Sequence, residues 1–102
     1  ILQSQLLYVE AQGNYTKFAY LEGPNIQEQL LRIPLSEVKR RIDGQTIIHC
    51  HRSYLANLSF FNTTTGSSRQ LNLLCQRTST KLPISRNKEA LVKRSLAELS
   101  RS

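Results

Sequence analysis

The sequence predicts a mainly β fold made of small antiparallel sheets in an elongated arrangement, with one short helix and a C-terminal helix. Short apolar and β-branched runs alternate with turn residues at fairly even spacing, which is typical of antiparallel sheets. Only residues 35–42 and 86–99 carry a helical period. The length of 102 residues indicates one domain, and a hydrophobic fraction of 39% is enough for one modest core.

Three strands are predicted in the N-terminal third of the chain. Residues 6–9 form an apolar run, and residues 15–21 resume with aromatic and β-branched side chains in rough alternation. A Gly-Asn turn dipeptide at 13–14 separates these two strands. A second turn follows at 23–25, and we expect a third strand at residues 30–33.

The first helix is predicted over residues 35–42, directly after Pro34. Leu35, Val38 and Ile42 fall at i, i+3 and i+7, which is one face of a helix. Basic residues occupy its last turn, where they complement the helix dipole, and the Asp-Gly pair at 43–44 supplies the stop.

The second half of the chain returns to strands. The predicted strands are residues 46–50, 54–61, 70–76 and 81–84. Residues 62–68 are predicted to form a polar hairpin loop with no core residue. Pro83 places the last strand at an edge or at the end of a ladder. Ser85 can cap the amphipathic helix that follows over residues 86–99.

The charge balance favours a polyanionic partner. Lys and Arg total 14 against 7 acidic residues, giving a net charge of +7. In so small a domain this indicates nucleic acid first, and anionic lipid or a heparin-like polymer next. A fragment separated from an acidic neighbour would show the same excess. No run approaches the roughly 18 apolar residues that a membrane span needs.

The sequence offers little that could support catalysis, a metal or a cofactor. Cys50 and Cys75 belong to no CxxC pair, so we predict buried, reduced thiols in a cytoplasmic protein. On a strand, His49 and His51 would point to the face opposite Cys50, which spoils a Cys–His pair. No motif links any pair of carboxylates, and we predict a non-enzyme without cofactors. A hydrolase that uses Cys50 remains an alternative.

Three tips of the predicted fold combine cations with hydrogen-bonding side chains: residues 14–17, 51–54 and 85–88. A DNA reader needs Lys and Arg for phosphates and a few side chains for base edges. The chain has no helix-turn-helix, C₂H₂ or basic-zipper signature, so DNA binding would use loops and strand ends. Simpler explanations exist for some residues: Tyr54 is the type that is usually half-buried, and the basic run 39–41 suits a solvated helix face.

Four segments carry a family resemblance. They are YVEAQGNYTK at 8–17, IPLSEV at 33–38, IHCHRSYLANL at 48–58 and LPISRN at 82–87. In order and spacing, from about residue 6 to residue 91, they resemble the LytTR DNA-binding domain. The HRSYL-x-N core is the most specific part of the likeness.

The resemblance implies the output domain of a bacterial transcription regulator. Its partners would be double-stranded DNA and an upstream receiver, sensor or membrane domain in a longer chain. Loops would enter successive major grooves, and two copies would occupy paired direct repeats and bend the DNA. Residues 1–102 would then be a LytTR-like domain, with the usual first strand truncated before Ile1.

The resemblance also implies roles for individual residues. The base-contacting positions correspond to Thr16, Arg52 and Arg86, and an Arg there favours guanine through O6 and N7. The phosphate-contacting or supporting positions correspond to Asn14, Tyr15, Lys17, His51, Ser53, Asn87 and Lys88. The alternative from another class is a basic module that docks on anionic membrane or polysaccharide.

Overall fold

Eight strands form two antiparallel sheets in the computed structural model, which describes residues 3–42, 46–67 and 69–100. The larger sheet has the order β3-β2-β1-β5-β4 and consists of β1 (Leu6–Gln12), β2 (Tyr15–Glu22), β3 (Asn25–Leu31), β4 (Ile47–His51) and β5 (Tyr54–Asn57). The smaller sheet consists of β6 (Thr63–Gly66), β7 (Leu71–Cys75) and β8 (Thr80–Pro83). The helices are α1 (Leu35–Arg41) and α2 (Glu89–Ser100). The predicted fold class is confirmed.

Two-residue turns connect the first three strands. The strand pairs close at Gln12 with Tyr15 and at Glu22 with Asn25. Gly13 and Gly23 adopt φ values of +60° and +61°, a left-handed conformation that glycine reaches without steric cost. Tight turns of this kind bring the ends of neighbouring strands together and keep the tips short.

The hydrophobic core has two layers, one on each face of the larger sheet. On one face, residues such as Leu7, Phe61 and Leu73 pack between the two sheets and against α2. On the other face, Val9 and other side chains of the sheet pack against α1. The larger sheet is therefore held from both sides, which gives its loops a rigid base.

Two strands differ from the sequence prediction. β3 begins immediately after the turn at Gly23 and ends at Leu31, earlier than the predicted strand at 30–33. Every residue of β3 is exposed, so the strand lacks the inward-outward alternation that sequence analysis detects. The predicted loop at 62–68 contains the edge strand β6, because its threonines are polar but β-branched and pair with β7.

The ends of two other elements also differ from prediction. β5 stops at Asn57 rather than continuing to residue 61. The Asn57 side chain donates to the Leu6 carbonyl (2.7 Å) and accepts from the Ser59 N–H (3.0 Å), which stabilises a turn at this point. The last helix starts as a separate 3₁₀ turn over Arg86–Lys88, and the Ser85 side chain makes no capping hydrogen bond. The predicted stop at 43–44 lies outside the described residues.

Candidate nucleic-acid interface

The β1–β2 turn and the β4–β5 turn lie side by side at one end of the larger sheet. β1 pairs antiparallel with both β2 and β5, so the carboxyl end of β1 meets the amino end of each. The Ala11 N–H donates to the Ser53 carbonyl at 2.8 Å, next to the Glu10–Tyr54 pair. This hydrogen bond joins the first and second predicted tips.

The third tip is attached to the same end through the edge strand β4. The Ser85 N–H donates to the Cys50 carbonyl at 2.9 Å. Cys50 lies on β4, two residues before Arg52. The Ile84 N–H donates to the Leu71 carbonyl (3.0 Å), so the smaller sheet holds this segment from its other side. The structure therefore brings all three tips predicted from the sequence to one end of the larger sheet.

Arg52 and Arg86 project from this end as exposed side chains. Neither forms an ion pair with a residue that the structure describes. Asn14, Tyr15 and Asn87 are also exposed, and Tyr15 exposes 46% of its surface. Two guanidinium groups with flanking amides and one phenol ring are suited to both base edges and phosphates.

Thr16 lies inside the domain rather than at its surface. Its side chain is 1% exposed, and its hydroxyl donates to the Ile33 carbonyl. Alternation along β2 turns Thr16 towards the α1 side of the sheet, while its neighbour Tyr15 stays exposed. This position does not favour the predicted base contact and indicates that Thr16 ties the first tip to the segment after β3.

We expect Thr16→Val to lower the free energy of unfolding by about 1–3 kcal/mol, because the Ile33 carbonyl loses its donor. Urea titration would measure this change. Thr16→Ser is the matched control, since it keeps the hydroxyl and should lose much less stability. If Thr16→Val kept full stability but altered base preference at one position, the supporting role would be refuted and the base contact reinstated.

Lys17 is held by carboxylates of two neighbouring strands. Its Nζ lies 3.2 Å from Glu10 and 3.4 Å from Glu28, and 5.5 Å from the centre of the Tyr8 ring. Burial lowers the pKa of Lys17, but hydrogen bonds to Glu10 and Tyr8, together with their charges, raise it more, so the net shift is upward. The ammonium is thus charged but largely neutralised by these carboxylates, which favours the supporting role predicted for Lys17.

His51 and Ser53 stabilise the turn that carries Arg52. The Ser53 N–H donates to His51 Nδ1 at 3.1 Å. The His51 ring also packs edge-on against Tyr54, with ring centres 5.7 Å apart. Both residues therefore act within the turn, as supporting residues would, and leave the Arg52 side chain free.

Two cations at this end were not predicted from the sequence to be site residues. Arg32 follows β3 and lines a shallow depression together with Gly13, Asn14 and Pro34. Lys39 lies on α1, and its Nζ is 3.4 Å from Nδ1 of His49, the β4 residue two positions before the second tip. No local motif identifies either residue; only the pairing of Thr16 with Leu31 and the packing of α1 bring them here.

The Cys50 side chain is unsuited to nucleophilic chemistry. It is fully buried, and burial raises its pKa to about 12, so the reactive thiolate is disfavoured. Within the described ranges, no group of three His, Cys, Asp or Glu side chains could hold a metal ion. Neither α1 nor α2 is long and apolar enough to cross a membrane, and these are the α-helices of the described ranges.

The fold and the site define a class: a β domain that presents cationic turns, rather than a helix, at one end of a sheet. The sequence model of the LytTr DNA-binding domain family matches residues 1–97. The chain belongs to the LytTR family of DNA-binding domains, which is not a catalytic family.

A solved structure supports the same fold. It is described as the LytTr DNA-binding domain of a methyl-accepting/DNA response regulator from Bacillus cereus. The match has a TM-score of 0.79 and 18% sequence identity, and it covers 94% of this chain and 84% of that one. None of the curated proteins matches the chain.

Proposed function

We propose that this domain binds double-stranded DNA sequence-specifically by inserting its three tips into adjacent major grooves. Arg52 and Arg86 would read base edges, with guanine O6 and N7 as the preferred acceptors. The observation that carries the proposal is the pair of backbone hydrogen bonds, Ala11 to Ser53 and Ser85 to Cys50, that fix the tips to one end of the sheet. Rigidly spaced arginines can match a fixed spacing of bases.

The remaining residues of this end would position the domain on the phosphate backbone. The groups suited to phosphate are the half-buried Lys88 and the exposed Asn14, Tyr15, Arg32 and Asn87. Thr16, Lys17, His51 and Ser53 would hold the tips in place, since their polar groups are engaged within the domain. The net charge of +7 would supply the salt-dependent part of the affinity.

In the full regulator, we propose two copies on paired direct repeats, an upstream receiver, sensor or membrane domain, and a cytoplasmic location for the DNA-binding domain. The support is the family match together with the response-regulator description of the similar Bacillus cereus structure. Binding by two copies would show as a shift of the complex in two steps when two half-sites are present, and as one step on a single half-site.

Selection of bound sequences from a random duplex pool tests this function. A selected duplex and a scrambled duplex of equal length and composition would then be compared at 0.15 M salt. We expect the selected duplex to bind at least about 10³-fold more tightly, the lower end for specific DNA binding. Equal affinities, with matching binding to anionic vesicles or to heparin, would instead support the basic docking module and overturn sequence-specific recognition.

A further inference from the structure

We propose that His51 is a positioning residue for Arg52: its unprotonated Nδ1 holds the turn that carries this side chain, and discrimination between sequences falls when Nδ1 takes up a proton. The inference rests on the proposed function, in which Arg52 reads a base edge. It adds a dependence on protonation that the arginines themselves, with guanidinium groups that stay charged, do not provide.

His51 holds the turn from within β4. The Ser53 N–H donates to His51 Nδ1, and the Ser53 carbonyl accepts from the Ala11 N–H on β1, so both backbone polar groups of Ser53 are engaged. In the sequence, Arg52 lies between His51 and Ser53. An imidazole nitrogen accepts a hydrogen bond only while it is unprotonated. Protonation of His51 Nδ1 therefore removes one of the two bonds that fix the turn beside Arg52.

His49 lies on the same strand as His51, two residues before it. Its Nδ1 lies 3.4 Å from Lys39 Nζ, and because an ammonium can only donate, the neutral ring must carry its proton on Nε2. Nε2 is buried and has no partner of standard hydrogen-bond geometry among the described residues. The Arg52 backbone raises the pKa of His49, so protonation of this ring does not release Arg52.

The surroundings of His49 oppose a second proton on the ring. Burial lowers the pKa of His49, and the charges of Lys39 on α1, Lys88 in the 3₁₀ turn and His51 on β4 lower it further. No carboxylate acts on the ring to offset these groups within the described part of the chain. The imidazole is therefore neutral near pH 7, and acidification would place a new cation beside two lysines under the Arg52 turn.

Acidification then has two effects of opposite sign. Each added proton increases the positive charge near the DNA, which raises affinity for any duplex. A proton on His51 Nδ1 also breaks the hydrogen bond from the Ser53 N–H, which lowers the preference for the correct base. The ratio of specific to non-specific affinity isolates the second effect, because the general charge effect cancels in the ratio.

The test measures binding of the selected and scrambled duplexes from pH 8 to pH 5.5 at constant ionic strength. We expect the affinity ratio to fall about 3- to 10-fold on acidification, the effect of losing one hydrogen bond, while affinity for the scrambled duplex rises. A ratio that stays constant over this range, with the selected duplex still bound tightly, would overturn the proposal.

Three variants separate positioning from simple folding effects. His51→Leu removes the acceptor, and its affinity ratio should be low at every pH. His51→Asn places an oxygen near the Nδ1 position without titrating, so it should recover discrimination relative to His51→Leu and flatten the pH profile. His49→Gln is the control, since it removes the neighbouring imidazole, and its pH profile should resemble that of the wild type. If His51→Leu discriminates like the wild type, His51 does not position Arg52.

A measurement without DNA keeps this inference separate from the proposed function. In the free domain, the Ser53 amide hydrogen should exchange with solvent more slowly in the wild type and in His51→Asn than in His51→Leu. The ¹⁵N resonances of His49 should report a neutral ring protonated at Nε2 near pH 7. Failure to select any preferred duplex would overturn the proposed function, whereas equal exchange of the Ser53 amide in the wild type and in His51→Leu would overturn the His51 contact.

Discussion

Replacing Arg86 with alanine should weaken binding to the selected duplex by about 1–3 kcal/mol and relax the preference at one base pair. The Arg86 side chain is exposed, while its backbone is anchored next to Cys50 through the Ser85 N–H. A guanidinium group on such an anchor can make a bidentate contact to guanine, which alanine cannot replace. Arg52→Ala should have an effect of similar size, but at a different base pair, because it lies on a different tip.

Binding would be measured by fluorescence anisotropy on the selected duplex and on its single-base variants. Lys88→Ala is the matched control, since Lys88 belongs to the same 3₁₀ turn as Arg86 but is proposed to contact phosphate. It should weaken all sequences alike and reduce the slope of log affinity against log salt by about one. If Arg86→Ala also weakened every sequence equally, Arg86 would be a phosphate contact and its base-reading role would be wrong.

The largest loss of stability should follow Phe61→Ala, at about 3–5 kcal/mol in the free energy of unfolding. Phe61 is fully buried between the two sheets, and its ring meets Tyr8 edge-on at a centroid distance of 6.1 Å. The same cluster contains Leu73 from the smaller sheet and Val92 from α2. Truncation of this ring leaves a cavity where three elements meet, and rigid strands close such a cavity only in part.

Thermal and urea unfolding would measure this loss. Phe60→Ala is the matched control, because the neighbouring ring is only partly buried at the edge of the same cluster. It should cost clearly less. Equal losses for the two variants would show that Phe61 is not the central contact between the sheets. Because the third tip reaches the larger sheet through this packing, Phe61→Ala should also lower discrimination at the base pair assigned to Arg86.

The sequence by itself determined the fold class, the two helices and the position of the three tips. β1 and β2 are predictable because a Gly-Asn turn separates their apolar and aromatic runs, which is a local signal. The family resemblance carried by HRSYL-x-N is confirmed by the match over residues 1–97. The base-contacting and supporting roles of the individual residues remain predictions.

The tertiary structure decided which side chains remain free to meet DNA. Thr16, Arg52 and Arg86 have equal standing in the sequence, but Thr16 is 1% exposed while the two arginines project. Burial depends on residues distant in sequence: the acceptor of the Thr16 hydroxyl is Ile33, 17 positions away. Lys17 is likewise neutralised through strand pairing with Glu10 and Glu28. Local patterns predict a strand or a turn, but only the completed packing fixes which polar groups are already satisfied within the domain.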